Sequence, residues 1–292
     1  MANPALKATF EAKRFIVAPG IFDMISAKVA DGMGFDCLYA TGFGTVASHL
    51  GVPDAGIATY TDMVGRMGRF AQGTRTPVIA DADTGYGGLL NVRHTVMGYE
   101  QAGISGIQLE DQEVPKKCGH TPGRRVIPAE EMVLKIKVAV EARRDPNFLI
   151  VARTDARTTL GLEEAIRRGR MFADAGADVV FVESPESEAE MAEIGRSIAA
   201  PLLANMVEGG RTPIRPAATL EKLGFAIAIY PAVGFLAAAA ALERAYGHLK
   251  AHGDSNALAP SDSYGFGRIC ETMGFPEVWD FDKRWAVKDA AE

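Results

Sequence analysis

Two aspartates one residue apart, Asp81 and Asp83, run into Thr84-Gly85-Tyr86-Gly87-Gly88 and form the pair best placed to do chemistry. In an extended strand, residues two apart face the same side. Both carboxylates can then serve one hard cation, and an all-oxygen site completed by water is what Mg²⁺ prefers, with Mn²⁺ accepting the same donors. Asp54, Glu110 and Asp111 add acids, and carboxylates gathered this closely repel one another unless a cation holds them. Taken singly, each acid could instead cap a helix or pair with an arginine such as Arg153.

A second constellation lies in the polar stretch from Gln112 to Arg125. There Cys118 follows Lys116 and Lys117, and His120 stands two residues further on. An electropositive setting favours thiolate, which suits proton transfer or nucleophilic attack. The glycines and prolines of the stretch suit a lid. Arg153 can grip a carboxylate through two parallel hydrogen bonds, unless Asp155 or Glu183 takes that grip first. Cys37, Cys270 and His94 read as structural residues, and His49 is undecided between the two roles.

Eight short apolar runs could position these groups: Phe15–Gly20, Cys37–Gly42, Pro77–Asp83, Gly106–Asp111, Phe148–Asp155, Val179–Ser184, Pro201–Met206 and Ala226–Pro231. Continuous apolar runs mark strands buried on both faces, as in a parallel sheet wrapped by helices. Segments of helical period that stop at glycine lie between them, including Leu162 to Asp178. Eight alternating units with a polar residue at nearly every strand end predict an α/β fold, a (β/α)₈ TIM barrel, over an open sheet. Thr41, Asp81, Asp83, Glu110, Asp111, Arg153, Asp155, Glu183, Asn205 and Tyr230 would then converge on the C-terminal mouth, where barrels of this kind build their active sites.

The 292 residues are read as one barrel domain over 1–292, with residues 248–292 as a C-terminal helical extension. A net charge of −6 opposes nucleic-acid binding. No stretch reaches the roughly 20 apolar residues of a membrane span. Three widely spaced cysteines fit a reducing cytoplasm.

The runs DADTGYG, IQLEDQ, PKKCGH, ARTDA and NMVEGG, in that order, resemble the isocitrate lyase/phosphoenolpyruvate mutase superfamily over roughly residues 10 to 285. The resemblance implies Mg²⁺ on Asp81 and Asp83, with Asp54 and Glu110 acting through its waters. It implies a carboxylate held by Thr41, Gly42 and Phe43, with Gly119, Arg153, Glu183 and Asn205 also facing the substrate. Cys118 in a Lys-Lys-Cys-Gly-His loop is similar to the carbon–carbon lyases, with Cys118 as proton donor assisted by Lys117 and His120, and with Glu110 and Arg153 in the catalytic set.

NMVEGG and GHTPGRRVIPAEE look nearest to the branch containing 2,3-dimethylmalate lyase, the petal death protein and oxaloacetate acetylhydrolase. Leu236 and Phe266 stand where methylisocitrate lyases place arginines, and would line an alkyl pocket. The expected activity is therefore Mg²⁺-dependent cleavage of a 2-alkylmalate into pyruvate and a short carboxylate. Oxaloacetate acetylhydrolase, methylisocitrate lyase and phosphonomutase chemistry are the alternatives, in that order. The resemblance also implies a homotetramer, with C-terminal helices exchanged between partners.

Overall fold

The strands are where the apolar runs place them, ending earlier than expected at several mouths. The computed structural model describes residues 2–119, 121, 123–258 and 263–286. Parallel strands β1 (Ile16–Ile21), β2 (Leu38–Ala40), β3 (Val78–Asp81), β4 (Gly106–Glu110), β5 (Leu149–Thr154), β6 (Val179–Val182), β7 (Leu202–Asn205) and β8 (Ile227–Tyr230) close in sequence order, β8 pairing with β1. This is the expected (β/α)₈ barrel.

Two layers of apolar side chains hold it. The outer one packs strand residues such as Ala80, Ile107 and Ile150 against helix residues such as Met67, Val96, Ile136 and Phe172. The inner one fills the barrel with Ile16, Tyr39, Ile79, Leu149, Val179, Phe181, Leu203 and Ile227. An N-terminal helix absent from the sequence reading, Pro4–Glu11, starts at Asn3, whose side chain accepts a hydrogen bond from the backbone N–H of Ala5. Its Leu6 is fully buried in the inner cluster, beside the first residues of β1, β5, β6 and β8, and so closes the floor. That burial stabilises by about 2 kcal/mol.

The helices Leu89–Gln101 and Leu162–Asp174 return to the sheet through Gly103 (φ +94°) and Gly176 (φ +100°), a backbone state that penalises any Cβ. The barrel therefore presents short, glycine-punctuated returns at its base and leaves the strand ends to carry polar groups.

The chain divides into two compact units between Phe235 and Leu236, inside the helix Val233–His252. The second unit contains the remainder of that helix and the helices Phe266–Thr272 and Phe275–Trp285. Aromatic neighbours in it include Phe275 and Trp279, ring centres 5.8 Å apart. Phe266, Phe275, Trp279, Phe281 and Trp285 are all exposed. Among the described residues, no helix is long and apolar enough to cross a membrane.

Candidate active site

The acids come first. Asp81 is the last residue of β3, but Asp83 lies beyond the strand in the left-handed region (φ +48°). The expectation that the two share one face of a strand is therefore corrected. The chain turns after Asp81, and the N–H of Asp83 donates to Asp81 Oδ1 at 3.0 Å.

Asp54 joins them through a cation. The Lys116 ammonium is 2.5 Å from Oδ1 of Asp54 and 2.5 Å from Oδ1 of Asp83. Burial is the largest influence on Asp83, with the Asp81 and Asp54 charges adding to it and Lys116 opposing, and its carboxyl is pushed up to about 7. Asp81 and Glu110 are also raised, first by burial. Lys116 is held well above its ordinary range by the acids around it, against the opposing effect of its burial. A cavity of about 390 Å³ adjoins Asp83 and Lys116, walled in part by Tyr60, Tyr86, His94 and Val114.

Glu110 ends β4, with Oε2 3.4 Å from Arg153 and Oε1 buried without a hydrogen-bond partner. Asp111, one residue on, faces the other way. Its carboxylate accepts from the Thr154 hydroxyl (2.7 Å), the Asp155 N–H (2.9 Å) and Arg168 (2.8 Å), a structural lock beyond the barrel's interior. Asp111 thus stands apart from the acids it was grouped with.

Among the described residues, no cluster of three or more acidic, histidine or cysteine side chains is already arranged as a metal cage. The donor set nevertheless fits a hard cation. Three buried carboxyls carry raised proton affinity, one buried carboxylate oxygen lacks a partner, and an ammonium already sits between two of the acids.

Arg153, in β5, gives two donors to Asp155, at 2.9 and 2.8 Å, and stands 3.4 Å from both Glu110 and Glu183. Its strongest grip is thus on Asp155, the competing arrangement considered above. Asp155 also accepts from Arg124 at 2.5 Å, and the two guanidinium groups hold its carboxyl below the usual range despite its burial. Glu183 follows β6, and its Oε2 accepts from the Asn205 amide at 3.0 Å. Thr41 caps the start of the helix Gly42–Leu50, whose first backbone N–H groups have no partner within the helix. Gly42 abuts the acids: a Cβ there would stand 2.5 Å from Asp81 Oδ2. Phe43 is partly exposed and stacks on Phe235 with ring centres 5.3 Å apart.

Cys118 and Gly119, in the polar stretch after β4, lie over these groups. The Cys118 N–H donates to the Asp54 carbonyl at 3.2 Å, and a Cβ on Gly119 would stand 2.3 Å from Arg153. Gly119 is therefore seated directly on the arginine. Cys118 is half-buried, whereas Lys117 is exposed and reaches the Gly123 carbonyl at 3.5 Å. His120 lies outside the described residues. Leu236 and Phe266 belong to the second unit, both exposed, Phe266 at 86%. Cys37 is fully buried as expected, Cys270 half-exposed, and the His94 ring lies 4.5 Å from that of Tyr60.

Lys116 and Arg124 carried no expected role in the site, whereas Asp155 was expected at the mouth and as a partner of Arg153. Adjacent lysines carry no sign of which one turns inward.

Against known proteins, residues 6–250 match the family described as phosphoenolpyruvate phosphomutase. The chain is 47% identical over 282 residues to a 2,3-dimethylmalate lyase of Eubacterium barkeri, covering 97% of each protein. It superposes on an oxaloacetate acetylhydrolase bound to the inhibitor 3,3-difluorooxalacetate with a TM-score of 0.91, 36% identity and 98% coverage of each chain. A phosphonopyruvate hydrolase bound to oxalate and Mg²⁺ aligns with a TM-score of 0.87 at 29% identity, covering 98% of this chain and 99% of the other.

Proposed function

The chain belongs to the phosphoenolpyruvate phosphomutase family, within the isocitrate lyase superfamily, and from that membership we propose that it is a Mg²⁺-dependent carbon–carbon lyase cleaving a 2-alkylmalate such as 2,3-dimethylmalate. The products are pyruvate and a short carboxylate. The observation that carries the reading is the seating of Gly119 on Arg153, which brings the thiol-bearing loop over the carboxylate-binding groups. The similarity to a 2,3-dimethylmalate lyase along nearly the whole chain supports it.

Asp81 and Asp83 would hold Mg²⁺, with Asp54 and Glu110 around it. When bound, the ion supplies charge neutralisation and polarises the substrate's carboxylate and C2 oxygen. The N–H groups of Gly42 and Phe43, which have no partner within their helix, receive with the Thr41 hydroxyl the carboxylate at the pyruvate end. Arg153, aimed by Asp155, faces the charge that develops as the bond breaks. Glu183 and Asn205 orient the departing carboxylate. Cys118, assisted by Lys117 and His120, delivers the proton to the new carbanion. Lys117 is exposed, so this role requires it to swing inward during the cycle.

By sequence position, Leu236 and Phe266 replace the arginines that the resemblance assigns to a third carboxylate, which favours a dicarboxylate with an alkyl tail over methylisocitrate. The exposed Phe266, Phe275, Trp279 and Trp285 support assembly into a homotetramer with C-terminal helices exchanged, and the wide sequence spacing of the three cysteines supports a cytoplasmic setting.

A panel of malate derivatives assayed for pyruvate with Mg²⁺ present tests the reading. Pyruvate from 2,3-dimethylmalate is expected. Oxalate from oxaloacetate, without turnover of any alkylmalate, would replace the lyase with the hydrolase that the 0.91 superposition favours as second reading.

A further inference from the structure

Gln108, in the middle of β4, is a fully buried polar side chain. Its two ends meet different partners. The Tyr39 hydroxyl lies 2.9 Å from Oε1, and Nε2 lies 3.4 Å from Oδ1 of Asp81. A carboxylate oxygen can only accept, so the amide nitrogen must face Asp81. The amide oxygen then faces Tyr39, whose hydroxyl must donate. The direction of both hydrogen bonds is thereby fixed.

Oδ1 of Asp81 receives a second donor, the Asp83 N–H at 3.0 Å. Oδ2 has a different environment, lying against Gly42 so closely that a Cβ there would come within 2.5 Å. One carboxylate oxygen is thus committed inward and the other faces the helix start at the mouth.

We propose that Gln108, oriented by Tyr39, is a positioning residue: it holds Oδ1 of Asp81 inward and leaves Oδ2 as the oxygen presented to the divalent cation. This rests on the metal reading above. Groups behind a metal ligand fix its orientation, and removing them typically weakens metal binding by about 10- to 100-fold.

The test measures Mg²⁺ affinity of the full-length protein by calorimetry, without substrate, alongside metal-free melting. Gln108→Leu keeps the bulk and removes both hydrogen bonds. Its Mg²⁺ dissociation constant is expected to rise about tenfold, with the Mg²⁺ concentration needed for half-maximal pyruvate release rising in parallel. Activity at saturating Mg²⁺ should return towards wild type. Tyr39→Phe frees the amide to rotate and should weaken Mg²⁺ by a smaller factor. A purely structural role predicts lower melting with unchanged Mg²⁺ affinity, and that result would overturn the proposal. If Gln108→Leu does not fold, wild-type Mg²⁺ affinity in Tyr39→Phe overturns it. Wild-type protein that binds no Mg²⁺ overturns both this proposal and the metal reading, whereas a wild type that binds Mg²⁺ but releases no pyruvate from any malate overturns the lyase reading alone.

Discussion

The ammonium of Lys116 lies 2.5 Å from Oδ1 of Asp83 and is itself almost wholly buried. A lysine fixed in an acid cluster acts there as a tethered counter-ion. Removing it leaves Asp54 and Asp83 facing each other without a cation, a loss of about 3 kcal/mol for a buried pair deprived of one partner. Lys116→Met should therefore melt several degrees lower than wild type when Mg²⁺ is absent. Added Mg²⁺ should restore more of the melting temperature in the variant than it adds to wild type. Differential scanning fluorimetry with and without chelator reads both, and equal Mg²⁺ shifts in the two proteins would count against the counter-ion role.

Gly42 has no room for a methyl group on its Asp81 side. Its backbone is ordinary, so Gly42→Ala should fold and place the clash on the carboxylate. Displacement of a metal-holding group by about 1 Å is expected to lower kcat/KM on the order of 100-fold. Steady-state kinetics across a Mg²⁺ series checks this, with far-ultraviolet circular dichroism unchanged.

Cys118→Ser exchanges the thiol for a hydroxyl far less able to give up its proton at neutral pH. Turnover should fall by about 100- to 10,000-fold, the range attributed to general acid catalysis. Pyruvate should still bind in the presence of Mg²⁺. Full activity in the serine variant would remove Cys118 from the mechanism.

Glu164 accepts two hydrogen bonds from Arg167, at 2.6 and 2.8 Å, and one from Arg168 at 2.9 Å. These bonds, Arg167 first, draw its carboxyl down to about 2 from an ordinary 4.5. A depressed acid stabilises the fold fully above its unfolded value, and this contribution is lost as pH falls through the folded one. Glu164→Gln should consequently sit below wild type in melting temperature at pH 6. The gap should close between about pH 4.5 and pH 2. A gap that stays constant over that window would mean that ionisation of Glu164 contributes nothing.

Much of the barrel was legible because a strand buried on both faces leaves no room for polar alternation. The run from Leu149 to Ala152 is apolar throughout and forms the start of β5. The end of a strand was harder to read. Asp83 looked like one more strand residue, yet its left-handed backbone depends on the turn that follows, which apolar patterning does not record. Adjacent residues of an extended chain face opposite sides, so the alternation itself separates Asp111 from Glu110.

Other relationships required the tertiary structure. Gln112 clamps Lys117 from both sides, accepting its N–H at 3.0 Å and donating to its carbonyl at 2.8 Å, and that path turns Lys116 inward. The helix Pro4–Glu11 is short, and its place is set by the fit of Leu6 into the barrel floor, which no local pattern announces.

Leu6 fills the base of the barrel, and at the opposite end Gly119 lies against Arg153. The segment seated on the arginine is the one that carries Cys118. Were that thiol the proton donor, admission and proton delivery could not coincide: a loop raised to admit substrate would hold its thiol away from the carbon. A spatial constraint would become a schedule, in which the proton arrives only after the loop has come down.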